Sequence, residues 1–261
     1  EAEQAALLRR AGARTLDDEP WSLAELVLID EAEALLNGSP RGYGHVVVDE
    51  AQDHSAMELR AIARRCPSRS MTVLGDLAQA TAPAAQSSWA EAIVHLGSPS
   101  TATVEELELG YRVPAPILEV ANRLLPDVAP GVAAARSVRP DGEPPRFVET
   151  SHDELGRATA AAVAAQWGSV GVVAPVDCHD EVAGALAAVG QAFGTGARGG
   201  LAGAVTLLVP PEAKGLEFDA VVVVEPAGIY VDQPGGRLLY VALTRAVQAL
   251  VVVHAQPLPP R

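Results

Sequence analysis

Asp49 and Glu50 follow three consecutive valines, Val46, Val47 and Val48. That run predicts a short buried strand with two carboxylates at its carboxyl end, where parallel α/β sheets bind ligands. An aspartate there can hold Mg2+, directly or through water, and a glutamate can orient and deprotonate an attacking water. For these two residues alone, an acidic turn capping a helix near Ser55 is the simpler reading. Four further segments change that. Thr72-Val73-Leu74-Gly75-Asp76 ends a second strand and leads to Gln79, whose amide could contact a phosphate or its water. Tyr111-Arg112 sets an aromatic ring beside a guanidinium. Lys214-Gly215-Leu216-Glu217-Phe218-Asp219 runs into a valine-rich strand, and Leu239 to Ala246 opens or lines a late helix. Of 19 Lys and Arg residues, Lys214 is the one lysine. No Gly-x-x-x-x-Gly-Lys-Ser/Thr occurs, so the loop that cradles phosphates in P-loop nucleotide hydrolases is absent from this sequence.

Apolar strands alternate with helical patterns through the chain, which predicts parallel sheets covered on both faces by helices. Ser22 and Glu25 form a capping box for a helix ending near Leu36, before Asn37-Gly38-Ser39-Pro40. The pattern then predicts strand 45–49, helix 55–65, strand 71–75 and a helix near 87–96. Gly97-Ser98-Pro99-Ser100-Thr101 is small and turn-rich and marks a domain boundary. Beyond it the expectations are strand 103–109, a helix opened by Pro114 and Pro116, and a loop over 126–145. Strand 146–149, helix 153–166, strand 170–174, helix 178–189, strands 204–209 and 220–224, helix 237–246 and strand 249–254 follow.

The 261 residues allow one large or two small domains. No apolar run reaches membrane-spanning length, and no charged-then-apolar leader opens the chain. Cys66 and Cys178 lie far apart without metal-ligand spacing, which fits reduced thiols and a cytoplasmic setting. The six histidines show no ligand spacing either and read as structural or surface residues. A net charge of −14 is the opposite of a DNA-binding footprint. Arg60, Arg64 and Arg65 could form a local basic stripe, but at helical spacing they read as a solvated face. Asp53 and Asp76 read as orienting groups rather than chemical ones.

Taken in order, Asp49-Glu50-Ala51-Gln52-Asp53, Gly75-Asp76 with Gln79, Gly110-Tyr111-Arg112, Lys214 to Asp219 and Tyr240 to Ala246 resemble motifs II to VI of UvrD/Rep-like superfamily I helicases. The resemblance runs from about residue 22 to 254. It implies a RecA-like P-loop NTPase fold, with the C-terminal part of a first RecA-like domain at 1–100 and a complete second one at 101–261. It implies ATP and Mg2+ as cofactors, with Asp49 the metal ligand and Glu50 the general base. Gln79 would sense the γ-phosphate, Tyr111 stack on the adenine and Glu217 contact the ribose. Arg112 and Arg245 would act as arginine fingers.

Three departures from the helicase pattern bear on function. The run after Gln79, Ala80 to Ala85, carries no aromatic side chain on which a base could stack. Val209-Pro210-Pro211 stands where the family places a Thr-x-His contact to the DNA backbone. Only about 90 residues separate Arg112 from Thr206, too few for the large inserted subdomain of unwinding helicases. Together with Ile29-Asp30-Glu31-Ala32, Gly75 to Thr81 and Glu217 to Pro226, these features resemble the HelD-type, helicase-IV-like ATPases. That resemblance implies binding to bacterial RNA polymerase and release of stalled transcription complexes. It places the P-loop in an earlier N-terminal part of the same protein, so this chain alone is expected to be inactive. Nucleic-acid contact would be weak or indirect, and no membrane is implied. Two alternatives stay open: a fragment of a DNA helicase or helicase-nuclease moving on single-stranded DNA, and a non-catalytic RecA-like scaffold.

Overall fold

The computed structural model describes residues 20–39, 41–97, 100, 102–196, 204–231 and 234–259. In chain order the first elements are α1 (Leu23–Asn37), β1 (Val46–Val48), α2 (Ala56–Arg64), β2 (Met71–Val73) and α3 (Trp89–Leu96). Both expected helix starts carry a reciprocal capping box, Ser22 with Glu25 and Ser55 with Glu58. β1 and β2 pair in parallel as a two-stranded sheet, and Leu59, Ala92 and Leu96 of α2 and α3 form a small core beside it. Three residues of the expected boundary, Ser98, Pro99 and Thr101, lie outside the described residues.

The second half contains β3 (Leu109–Gly110), α4 (Ala115–Asn122), α5 (Leu125–Val128), β4 (Arg136–Ser137), β5 (Arg146–Glu149), α6 (Leu155–Ala164) and β6 (Val170–Val173). Then come α7 (His179–Ala188), β7 (Gly194–Thr195), β8 (Val205–Leu208), β9 (Phe218–Val224), α8 (Pro226–Ile229), α9 (Gly235–Leu243) and β10 (Ala246–His254). Six strands form one parallel sheet in the order β5-β10-β9-β6-β8-β7. The chain is therefore α/β with helices on both faces of a parallel sheet, as expected of a RecA-like fold.

The valine runs follow from burial on both faces. Val221 and Val223 of β9 point into a cluster with Ile117, Leu118, Leu125, Val128, Leu239 and Tyr240. Ala220, Val222 and Val224 point the opposite way, against Leu155, Val163, Val182 and Leu186. Side chains alternate with period two, and each buried valine contributes about 1.5–3 kcal/mol. Ala78, from the first half, belongs to the same buried cluster as α4, α5 and α9, so the two halves share packing.

The structure corrects several expectations. Of the expected strand 103–109 only β3 forms, and it pairs with β4 outside the six-stranded sheet. Residues 102–109 are all exposed, and Glu105, Glu106 and Glu108 leave that run no face to bury. α9 begins earlier than expected and stops at Leu243, because Thr244 turns its hydroxyl back onto the Tyr240 and Val241 carbonyls and the chain enters β10 at Ala246. The expected 126–145 loop carries the end of α5 and β4, and the two-residue edge strand β7 has too short a pattern to be read.

Arg64 and Arg65 are half-buried rather than part of a solvated face, while Arg60 stays exposed. All three hold α1 to α2: Arg60 bonds Glu31 at 2.9 Å, Arg64 bonds Asp30 and Glu31, and Arg65 bonds Asp30 at 3.0 Å. No α1 residue is fully buried, so these ion pairs supply much of what docks the helix. The Arg65 guanidinium, with Arg64 beside it and against the opposing effect of burial, lowers the Asp30 carboxyl from 3.8 to about 2. A lowered carboxyl stabilises the fold fully above its unfolded pKa, and that contribution is lost as pH falls through the folded value. α1 should therefore stay docked above about pH 4 and loosen as the pH drops toward 2. Trp21, at the mouth of α1, reports this by fluorescence. Asp30→Asn should show the loosened state at neutral pH, at a cost of about 1.5–3 kcal/mol; a variant with α1 as firmly held as in the wild type would count against the ion pairs.

Candidate active site

The carboxyl ends of β1 and β2 are locked together by one buried side chain. Gln52 is fully buried; its Nε2 donates to Glu50 Oε2 at 2.6 Å and its Oε1 accepts the Asp76 N–H at 3.0 Å. Glu50 sits at φ 51°, a left-handed conformation costing a non-glycine residue about 1–2 kcal/mol. Asp49 Oδ1 accepts the Glu50 N–H at 2.8 Å, and the Asp53 N–H returns to the Glu50 carbonyl at 3.0 Å. The turn thus presents Glu50, half-buried, and Asp49, exposed, on the same strand end. Gly75 leaves the space this needs: a Cβ there would stand 2.2 Å from Gln52 Oε1 and 2.8 Å from the Trp89 ring.

From this end the chain runs into residues 79–82, which have almost no secondary structure of their own. Their backbone groups are held by charged side chains. Lys214 Nζ donates to the Gln79 carbonyl at 2.7 Å, and Arg237 Nη1 donates to the Ala80 carbonyl at 3.0 Å. Asp53 Oδ1 accepts the Thr81 and Ala82 N–H groups at 2.9 and 3.1 Å, while its other oxygen is ion-paired with Lys214. Lys214 also lies 3.5 Å from Glu50 Oε2.

The Gln79 side chain is fixed from both directions. Its Nε2 donates to Asp76 Oδ2 at 2.8 Å and its Oε1 accepts from Arg245 Nη2 at 2.9 Å. Arg245 is 2% exposed, and its Nε donates to the Val241 carbonyl at 3.0 Å. Burial, with the Arg112 guanidinium nearby, pulls its pKa down to about 10, and Glu50, Glu217 and Asp76 partly offset that. It is still a cation at neutral pH. Burial and the Asp76 carboxylate push the Tyr240 phenol up to about 12, so it remains protonated.

Arg112 and Glu217 meet as an ion pair at the rim, both well exposed. Tyr111 is 73% exposed and ready to offer a ring face. Arg139 braces this rim by donating to the carbonyls of Arg112 and, at 2.7 Å, Val247. The structure thus brings Glu50, Gln79 and Arg245 into one network and sets Arg112 and Glu217 beside it. Asp53 and Asp76 orient neighbours, as expected. Gln52, Arg139 and Arg237 are additions, and Lys214 gains a contact role. Gln52 lies inside the acidic motif itself, but which strand lies beside it is a matter of topology.

Asp49 and Glu50 are hard oxygen donors on one strand end. Among the described residues no group of three or more His, Cys, Asp or Glu could hold a metal. That donor set fits Mg2+, which is bound through one or two carboxylates plus substrate phosphate and water. No described helix is long and apolar enough to cross a membrane.

Residues 212–253 match the UvrD-like helicase C-terminal domain. They hold Lys214, Glu217, Arg237 and Arg245 together with β9, α9 and nearly all of β10. Among solved structures, the C-terminal domain of a possible DNA helicase from Lactobacillus plantarum WCFS1 is similar at 24% identity and TM-score 0.42, over 58% of this chain and 91% of that one. The PRRSV helicase is similar at 16% identity and TM-score 0.48, over 84% of this chain and 36% of that one. Arterivirus nonstructural protein 10, a helicase solved with DNA, is similar at 17% identity and TM-score 0.45, over 82% of this chain and 40% of that one. No curated protein matches the chain. The matched segment and the parallel sheet that carries it support a superfamily I helicase type of fold.

Gly75→Ala should displace Gln52, leave buried polar groups unpaired and release Glu50. Urea denaturation should then show a loss of about 1–3 kcal/mol. Unchanged stability would mean that the two strand ends do not depend on Gln52.

Proposed function

We propose that this chain forms one side of an ATP-hydrolysing site in a UvrD-like, helicase-type ATPase, the nucleotide lying at the junction of the two sheets. The observation that carries the reading is the contact of Arg245, from the second half, with Gln79 of the first, 2.9 Å apart and beside Glu50. Such a junction lets a cation from one half meet charge developing on a phosphoryl group held by the other. In this reading Glu50 takes the proton of the attacking water, Gln79 orients that water, and Arg245 and Arg112 stabilise transition-state charge. Tyr111 stacks on the base, and Glu217 exchanges Arg112 for the ribose. Asp49 would hold Mg2+, which when bound neutralises phosphate charge. The cradle for the remaining phosphates has to come from outside this sequence, so the intact protein is the enzyme in this proposal.

The finer reading is that the intact protein acts on RNA polymerase, as a HelD-type ATPase that helps release stalled complexes, rather than tracking along DNA. Its support is the lack of aromatic side chains after Gln79, Pro210 and Pro211 in the turn before Lys214, and the charge of −14. The second reading, a DNA helicase fragment, is favoured by the match to the UvrD-like helicase C-terminal domain.

In the intact protein, Arg245→Ala should lower ATP turnover by about a thousandfold while changing nucleotide affinity much less, because the lost contact is made mainly in the transition state. Steady-state kinetics with a nucleotide-binding assay checks this, and wild-type turnover would remove Arg245 from the site. Single-stranded DNA should bind this chain weakly, since stacking, worth about 1–3 kcal/mol per base, and counterion release should both be poor. Fluorescence anisotropy at low and physiological salt tests it. Submicromolar affinity at physiological salt would favour the helicase reading; capture of purified RNA polymerase by the intact protein, without duplex unwinding, would favour the other.

A further inference from the structure

α9 opens with Gly235 and Gly236, two residues that each weaken a helix by about 1 kcal/mol relative to alanine. The surroundings explain them. A Cβ on Gly235 would lie 2.5 Å from the Ile229 carbonyl oxygen, and one on Gly236 would lie 2.6 Å from a Val128 methyl. The helix start is therefore pressed against α5 and α8 more closely than any larger residue permits. The next residue is Arg237. From that seat its Nε donates to the Val128 carbonyl at 2.9 Å, in the last residue of α5, and its Nη1 donates to the Ala80 carbonyl at 3.0 Å, across the junction. Val128 is 4% exposed, so its carbonyl is a fixed anchor at the end of a short helix.

Ala80 follows Gln79 directly, and Ala80 is 1% exposed. The two carbonyls on either side of the Gln79–Ala80 turn are thus held by two different cations, Gln79 by Lys214 and Ala80 by Arg237. Lys214 holds the Gln79 carbonyl and Asp53 the Thr81 amide; Arg237, anchored at Val128, adds a planar donor on the Ala80 carbonyl that lies between them.

Resting on the proposed ATPase reading, we propose that Arg237 is a positioning residue: it fixes the Ala80 peptide and thereby holds the Gln79 amide between Asp76 and Arg245, where the attacking water would be oriented. It touches neither nucleotide nor metal. A guanidinium suits the position because Nε and Nη1 are separate atoms in one rigid plane and reach the Val128 and Ala80 carbonyls at once, whereas the donors of an ammonium all radiate from one nitrogen.

Two measurements separate this proposal from the reading it rests on. On this chain, hydrogen exchange followed by mass spectrometry needs no nucleotide. Arg237→Ala should raise exchange across residues 77–82 by about tenfold or more while β9 and β10 keep their protection. Unchanged exchange there would overturn the proposal whatever the protein's activity. In the intact protein, Arg237→Ala should lower kcat about ten- to a hundredfold with KM nearly unchanged, and Arg237→Lys should recover only part of it. An effect on KM alone, or full recovery by lysine, would overturn the positioning role. Should the alanine variant fail to fold, Gly236→Ala shifts the helix start while keeping the arginine, and the same local rise in exchange is expected; protection retained in that variant would count against the strut. An intact wild-type protein without ATPase activity would sink the ATPase reading, while the exchange result still decides whether Arg237 holds the loop.

Discussion

An ammonium group largely withdrawn from water needs acceptors close around it, and half-buried Lys214 finds its acceptors across the junction. Its side chain is 16% exposed, and the Asp53 carboxylate and the Gln79 carbonyl complete its shell, with Glu50 at 3.5 Å. Left without these partners, such a charge would cost several kcal/mol in that setting. The relative placement of the two sheets is therefore constrained at one point. Asp53 carries the constraint further, because the same carboxylate that pairs with Lys214 also holds the Thr81 and Ala82 amides. Moving Lys214 would disturb the loop from both of its ends.

The six-stranded sheet explains why Glu217 and Arg245, far apart in sequence, lie beside one another, one at the rim and one buried behind it. β9 and β10 are neighbours, with Phe218 opposite Ala246, and the Phe218 N–H bonds the Arg245 carbonyl at 3.0 Å. The residues just before each strand are thus placed side by side by backbone register. The alternating burial of valines on the two sheet faces then fixes that register, since a slip of one residue would swap the faces of a whole strand. The geometry of the candidate site is inherited from apolar packing well away from it.

How much of this was legible in sequence depended on whether the signal was local. The central strands were, because valine-rich runs buried on both faces have few other readings. The capping box at Ser22 was, because the four residues from Ser22 to Glu25 suffice to define it. Residues 103–109 misled: Val104, Leu107 and Leu109 read as a strand, but three glutamates in the same run deny it a buried face. The end of α9 misled for a different reason, since Ala242 to Ala246 continues a good helical pattern and only the pairing of Ala246 with Phe218 turns it into a strand. The candidate residues could be named from their motif order. The partners of Gln52, Lys214 and Arg237 could not, because each contact joins segments whose adjacency exists only once the sheets are assembled. The role of Arg60, Arg64 and Arg65 was hidden similarly, their carboxylate partners lying on another helix.

Only Thr244 and Arg245 separate the last residue of α9 from the first of β10, and backbone bonds engage both. There is no slack in that connection. An arginine on a loop can swing in and out while its scaffold stays still; this one is mounted like a tooth on a gear. Its Nε is also bonded to the Val241 carbonyl, so the side chain is seated on α9 itself, and a shift of that helix would move the Gln79 contact with it.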